Sequence, residues 1–319
     1  RGAAKGLTGN IPTQKAFYSL NRTIVREKMQ LLQRFGQSAL DQEMQDVFMG
    51  LIDESADGLI KGYYNSLTNQ RMQVVSTGKF KIDAVNNPRG IKDITFDFGI
   101  DSSHFDTLSG NNRWWTDADK TKEGSTSDPI NYMKTMAKKI RNTSHYYGPL
   151  NLEMAKETID GLTTHSAVLK RIGRLLYPLS AADTTGATAL QYAQNLDDEA
   201  IKAAIARLIG EGVAIVPRDS KAYVDEWNAA DGTLTQKEIE NFSLTNISFI
   251  PSGTIGNIQG VTPITLGYQP DQVAFYDSGR LALTQRMNAE THSLYIESEA
   301  AQLCVPSVPK YMFICTVTA

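Results

Sequence analysis

Four histidines, two cysteines and a scatter of carboxylates are the residues of this 319-residue chain best suited to chemistry. His104, His145, His165 and His292 share no metal-ligand spacing; a zinc-type pair needs histidines about three to five residues apart. Gly253, Gly256 and Gly260 are spaced wrongly for a phosphate cradle, and no nucleophile elbow, P-loop or dinucleotide fingerprint occurs. Asp231-Gly232-Thr233 with Glu238 copies the second half of a calcium loop. Its first and third positions would be Trp227 and Ala229, which offer no side-chain oxygen, so a turn followed by a short helix is expected. Cys304 and Cys315 flank a Pro-rich turn and could face one another on neighbouring strands, as free buried thiols in a reducing compartment. Trp114-Trp115 can be a ligand platform, an interface anchor or a core anchor. Carboxylate pairs are abundant, and none stands beside a base or nucleophile. No catalytic, cofactor or metal site is expected.

The elements around these residues follow from periodicity. Residues 1–12 form an extended lead-in ending at Ile11-Pro12. Leu20, Ile24, Leu31 and Phe35 keep helical spacing, and a longer helix starts near Asp41, with Leu51, Leu59, Tyr63 and Leu67 on one face. At Gly78 the period changes to two. Phe80 and Ile82, then Ile94 and Phe96, alternate with polar residues on either side of Asn86-Asn87-Pro88-Arg89-Gly90, which predicts a β-hairpin. Ser127 is expected to cap a helix with Pro129 in its first turn and a buried stripe of Ile130, Met133, Ala137 and Ile140. Lys134, Lys138, Lys139 and Arg141 line its other side. A short strand at Leu150–Leu152, helices to about Tyr177, a loop over 178–197 and a helix capped by Asp197 or Asp198 come next. Strands are expected at Val213–Val216, Ile247–Ile250, Val273–Tyr276, Leu281–Thr284, Ser293–Glu297 and Tyr311–Val317. Helices mixed with strands come first and an antiparallel set last, so the fold class is α+β.

Hydrophobic residues make up 41% of the chain, an ordinary globular share that excludes a disordered, collagen-like or disulfide-scaffold chain. No apolar run reaches the ~18 residues of a membrane span, and no signal-type segment is expected. The net charge of −3 conceals a division. Residues 1–36 carry seven basic residues and one acid, a net of +6, and the rest carries 25 and 34, a net of −9. Such an arm can track phosphates, dock on the acidic body of a neighbouring copy, or stand solvated as a frayed terminus.

Four collinear segments carry a resemblance. They are "VVSTGKFKI" (Val74–Ile82) leading to "ITFDFG"; "LSGNNRWWTDADKTKEGSTSDPINYM" (Leu108–Met133); "GVAIVPRDSKAYVDE" (Gly212–Glu226) with "SFIPSGTIGNIQG" (Ser248–Gly260); and "ESEAAQLCVPSVPKYMFICTV" (Glu297–Val317). In this order the chain resembles the major capsid protein E family of tailed bacteriophages, the phage lambda-like type. Cys304 and the 178–197 loop depart from the family pattern. The resemblance implies a Hong Kong 97-type capsid fold. Residues 1–40 would be an N-terminal arm, and 41–100 the long helix and E-loop hairpin. Residues 101–147 with 261–319 would be a peripheral domain whose spine helix opens at Ser127, and 148–260 an axial domain. It implies a non-enzymatic major capsid protein that self-assembles into the icosahedral head shell, forming hexamers and pentamers, with packaged double-stranded DNA bound non-specifically on the inner face and no membrane partner. Decoration protein, scaffold and portal are the further expected partners. The virion capsid would be its location, with assembly in the host cytoplasm. Assembly contacts are expected at Arg22, Arg26, Lys28, Lys79, Lys81, Arg89, Lys92, Trp114 and Trp115. An encapsulin-like cargo shell of the same fold and a soluble α+β enzyme with dispersed site residues are the alternatives.

Overall fold

The computed structural model describes residues 13–20, 41–82, 93–177, 185–210, 212–228, 233–263, 272–288 and 293–318. In chain order the regular elements are β1 (Thr13–Leu20), α1 (Asp41–Thr77), β2 (Lys79–Ile82), β3 (Ile94–Asp97), β4 (Phe105–Thr107), α2 (Pro129–Ser144), β5 (Leu150–Ala155), α3 (Lys156–Thr164) and α4 (Ser166–Leu176). They continue with α5 (Ala187–Gln194), α6 (Asp198–Ile209), β6 (Val213–Arg218), β7 (Lys221–Asn228), β8 (Thr233–Glu240), β9 (Asn246–Pro251), β10 (Gly256–Val261), β11 (Val273–Tyr276), β12 (Leu281–Asn288), β13 (Ser293–Pro306) and β14 (Phe313–Thr316). The chain divides into two compact units. One comprises Arg1–Thr68, Lys81–Ile94 and Ile258–Cys304, and the other Asn69–Phe80, Thr95–Asn257 and Val305–Ala319.

The first unit is built on an antiparallel sheet in the order β1-β13-β12-β11, with β10 also on β13. Strand alternation puts Leu294, Ile296 and Ala300 of β13 on one face with Leu281 and Leu283 of β12. Leu59, Tyr63 and Leu67, one helical turn apart on α1, close that face. The Tyr63 hydroxyl donates to Asp277 Oδ2 at 2.5 Å, and burial pushes its titration above the usual tyrosine range. At the outer edge β1 is held in register, Thr13 opposite Ala301 through Leu20 opposite Leu294, with Lys15 paired to Glu299 at 2.9 Å. Leu20 is therefore in a strand and not at the head of a helix. The expected helix residues Ile24, Leu31 and Phe35 lie outside the described residues.

The second unit has a mixed sheet in the order β4-β14-β9-β5-β6. β5 and β6 run parallel, which requires the long crossover that α3, α4, α5 and α6 supply. One face carries Leu150, Leu152 and Met154 of β5 and Phe313 and Cys315 of β14. It is covered by Ile130, Met133, Ala137 and Ile140 of α2, Val168, Leu169 and Ile172 of α4, and Ile201 and Ile205 of α6. The opposite face meets Met72 and Val75 from the last turns of α1. There Ser248 Oγ donates to the Val75 carbonyl at 2.7 Å and Asn246 Nδ2 to that of Ser76 at 2.9 Å. These bonds satisfy carbonyls a helix end leaves open. Gly78 then turns the chain at φ +73°, its N–H returning to the Val74 carbonyl. A Cβ there would come within 2.9 Å of Ile100 Cδ1.

β2 and β3 pair as a separate two-stranded ribbon. Phe80 and Phe96 stack at 6.4 Å, and Lys79 bonds Asp97 across the strands at 2.9 Å. The turn residues expected between them lie outside the described residues. Other expectations shift in detail. The cap of α2 is Asp128, whose carboxylate accepts from Asn131 N at 3.1 Å; Ser127 instead faces inward. Asp197 caps α6 through Ala200 N at 2.7 Å. The expected 178–197 loop contains α5, whose Ala189 and Ala193 are buried. Gly173 of α4 meets the Ala189 backbone so closely that a Cβ would lie 2.1 Å from its carbonyl oxygen.

The segment expected to be a turn and short helix is the hairpin β7–β8. Register sets Tyr223 opposite Glu238, and Lys221 reaches Glu238 at 2.9 Å. Asp231 and Gly232 lie outside the described residues. Cys304 and Cys315 form no disulfide, and they belong to strands of different sheets, β13 and β14. Burial pushes the Cys315 thiol up to about 12, which keeps it protonated and inert.

Candidate functional site

The residues expected to make assembly contacts separate into three groups. Arg22, Arg26, Lys28, Arg89 and Lys92 lie outside the described residues. Lys79 and Lys81 are exposed on β2, with Lys79 engaged by Asp97 of the same ribbon. Trp114 and Trp115 are core residues, 0% and 2% exposed. They have no surface to offer a neighbour or a ligand, so the expectation of direct contact gives way to an internal role. The Trp114 backbone N–H donates to the Val317 carbonyl at 2.8 Å, and the Leu108 backbone N–H to that of Thr316 at 2.9 Å, which ties the 108–126 loop to the end of β14. Trp115 stands edge-on to Trp114 and to His165 and carries Lys120 Nζ 5.2 Å above its ring. Burial lowers the Lys120 pKa, and Thr158 Oγ1 accepts from its ammonium at 3.2 Å.

An arrangement with a catalytic outline is buried beside this pair. Ser127 Oγ lies 3.2 Å from His165 Nε2, and Glu123 Oε2 lies 3.8 Å from His165 Nδ1. Its wiring is the reverse of a nucleophile–base–acid relay. His165 Nδ1 accepts the Ala167 backbone N–H at 3.2 Å, capping α4. The proton is therefore assigned to Nε2, which donates toward Ser127 instead of removing its proton. Glu123 is occupied by Ser166, accepting from its N–H at 2.8 Å and its hydroxyl at 2.5 Å. The cluster fastens the 123–127 loop to the start of α4. Its members are 38 and 42 positions apart in sequence, and no local pattern marks them.

Protonation of His165 removes the cap acceptor and places a cation at a helix N-terminus. Burial lowers its pKa, outweighing the opposite pull of Glu123, the Trp114 backbone carbonyl and Asp128. The unfolded chain takes up this proton below about pH 6.5 while the native chain does not, so the imidazole's contribution is present above that pH and declines as pH falls through it. We expect urea midpoints to fall between pH 7 and 5, and the fall to be shallower in His165→Asn, which keeps a cap acceptor without a titrating group. Parallel pH profiles for the two chains would remove His165 as the cause.

A second buried polar pair joins β5 to β6. Glu153 is 1% exposed and holds Arg218 through both oxygens, Nε to Oε2 at 2.8 Å and Nη2 to Oε1 at 2.5 Å. Beyond it, Lys156 reaches Asp219 at 2.5 Å and Ser220 Oγ donates to Glu157 at 2.5 Å. These pairs are structural: they neutralise one another and leave no site open. Among the described residues, no group of three or more His, Cys, Asp or Glu side chains could hold a metal ion, and no helix is long and apolar enough to cross a membrane.

Likeness to known proteins carries the identification. The model of the family described as Phage major capsid protein E matches residues 16–202, more than half of the chain. The chain belongs to the phage major capsid protein E family. Its fold agrees. A candidate capsid protein of an Escherichia coli CFT073 prophage superposes with a TM-score of 0.54 at 14% identity, over 96% of this chain and 76% of that one. A phage-related protein from Bordetella bronchiseptica RB50 matches at TM-score 0.49 and 10% identity, over 97% and 75%. The mature capsid of bacteriophage PhiM1 matches at 0.40 and 9%, over 95% and 70%. No curated protein sequence matches the chain. The α+β architecture is that of the Hong Kong 97-type capsid proteins, and this member of the capsid protein E family is a phage head-shell protein.

Proposed function

We propose that the chain assembles as hexamers and pentamers into a closed icosahedral head around double-stranded DNA, in the cytoplasm of the bacterial host. Scaffold, portal and decoration proteins are its partners in this reading. Membership of the capsid protein E family is the observation that carries it. The charge division supports it: an arm of net +6 on a body of net −9 suits a subunit that must bind copies of itself. In this reading the arm of residues 1–40 straps a neighbour and the ribbon of β2 and β3 is the base of a second extension. The subunit acts as a building block and turns over no substrate.

Electron microscopy of the full chain, alone and with its scaffold, is the test. Closed shells are expected; monomers alone at every concentration and with every assembly partner would refute it. β1 is part of the first unit's sheet, so the arm is better tested by substitution than by deletion. Replacing Arg22, Arg26 and Lys28 with glutamine leaves β1 in place. Losing three ion pairs with a neighbour, at about 0.5 kcal/mol each, would weaken every strapped subunit contact about tenfold. Shell yield should fall accordingly with the thermal midpoint of the subunit unchanged. Normal yield would remove the strap.

A further inference from the structure

The exposed face of α2 carries charge of one sign only. The helix contains Lys134, Lys138, Lys139 and Arg141 and neither Asp nor Glu. Its exposed residues are Asn131, Lys134, Thr135, Lys138, Lys139, Asn142 and Thr143. Among the described residues, no carboxylate stands within ion-pair distance of Lys134, Lys138 or Lys139. The acids near the start of the helix are already engaged: Asp128 by Asn131 N and Arg171, and Asp106 by the Tyr132 hydroxyl. A distant segment adds to the same charge. The turn Pro309–Tyr311 packs against α2, Tyr311 lies 5.3 Å from Tyr146 just past the helix end, and exposed Lys310 sits over the Tyr311 ring at 4.5 Å.

Lys134 and Lys138 are one turn apart, where like charges repel and weaken a helix. Nothing within the described unit repays that repulsion, on a body whose net charge is −9. The partner that repays it is an anion outside the chain. A protein surface is a poor fit, since interfaces carry an apolar centre and this face exposes no apolar side chain. A regular polyanion fits well. Residues 134–141 rise about 10 Å, the length over which duplex DNA presents about six phosphate charges. Lysines bind phosphate as point charges, without the bidentate geometry that reads a base edge.

We propose that the basic face of α2, joined by Lys310, binds the phosphate backbone of duplex DNA without sequence preference. Resting on the head-shell reading above, this face is turned to the interior of the shell.

The test is the binding of the full, unassembled chain to a short mixed-sequence duplex, followed against salt. In the K134Q/K138Q/K139Q variant the slope of log K on log salt should fall by about 0.9 for each lysine in contact, about 2.7 for all three. A variant of equal net charge, K61Q/K122Q/K237Q, should keep the parent slope. Equal losses in the two variants would make the effect one of total charge and overturn the proposal. So would parent-like binding by the α2 variant, and if that variant also failed to form shells the face would be a contact between subunits. Because binding is read on the unassembled chain, a parent that formed no shells would refute the head-shell reading and leave this result standing.

Discussion

Arg218→Ala should cost the second unit about 3 kcal/mol, the lower part of the range for stripping a partner from a buried charge. The substitution leaves Glu153, 1% exposed, with no cation across the β5–β6 pair. Arg218 itself keeps 23% of its side chain exposed, which lets water relieve part of the penalty and sets the figure at that lower end. The thermal midpoint should drop by about 6–12 °C for a body of this size. Glu153→Met with Arg218→Met should recover most of the loss, because apolar side chains of similar volume avoid the desolvation the pair suffers. Calorimetry of the three chains is sufficient. A drop of one or two degrees in Arg218→Ala would mean that Glu153 is hydrated or protonated in the native state and that the pair carries little.

Trp115→Ala should be as severe, about 3–5 kcal/mol, the range for emptying a buried tryptophan site. The indole fills a space whose far wall is Gly161, where a Cβ would come within 2.7 Å of Trp115 Cζ2. The wall is backbone on a helix and cannot collapse inward. The loss should appear as a lower denaturation midpoint of the isolated subunit, before any assembly. If the subunit unfolded at the parent midpoint and only shell formation failed, Trp115 would be a contact between copies after all.

Local patterns revealed the parts of the fold that depend on local spacing. α1 and the buried stripe of α2 follow from helical periodicity, and β2 and β3 from alternation on either side of turn residues. What they concealed depends on partners far along the chain. β1 reads as a lead-in running into a helical pattern because its residues are ordinary; β13, about 280 residues later, makes it a strand. Lys237-Glu238-Ile239-Glu240 reads as helix by propensity, and pairing with Lys221–Asn228 overrides it. Glu153 and Arg218 are two charges among many until the parallel register of β5 and β6 sets them side by side. The two tryptophans were visible as anchors, but what they anchor to could not be read from their neighbours in sequence. Family membership was legible in the order of short segments, whereas the positions of charge on the folded surface needed coordinates.

The position of β14 has a consequence for synthesis. It is a middle strand, flanked by β4 and β9, yet it is translated some 200 residues after β4 and some 60 after β9. Until Phe313–Thr316 leave the ribosome, β9 has a bare edge and β4 has no sheet to join. Pairings this distant in sequence form slowly. A nascent or truncated chain ending before Phe313 therefore lacks an interior strand of its second unit, between β4 and β9. Such a chain cannot complete that sheet and so cannot supply a finished subunit to a shell.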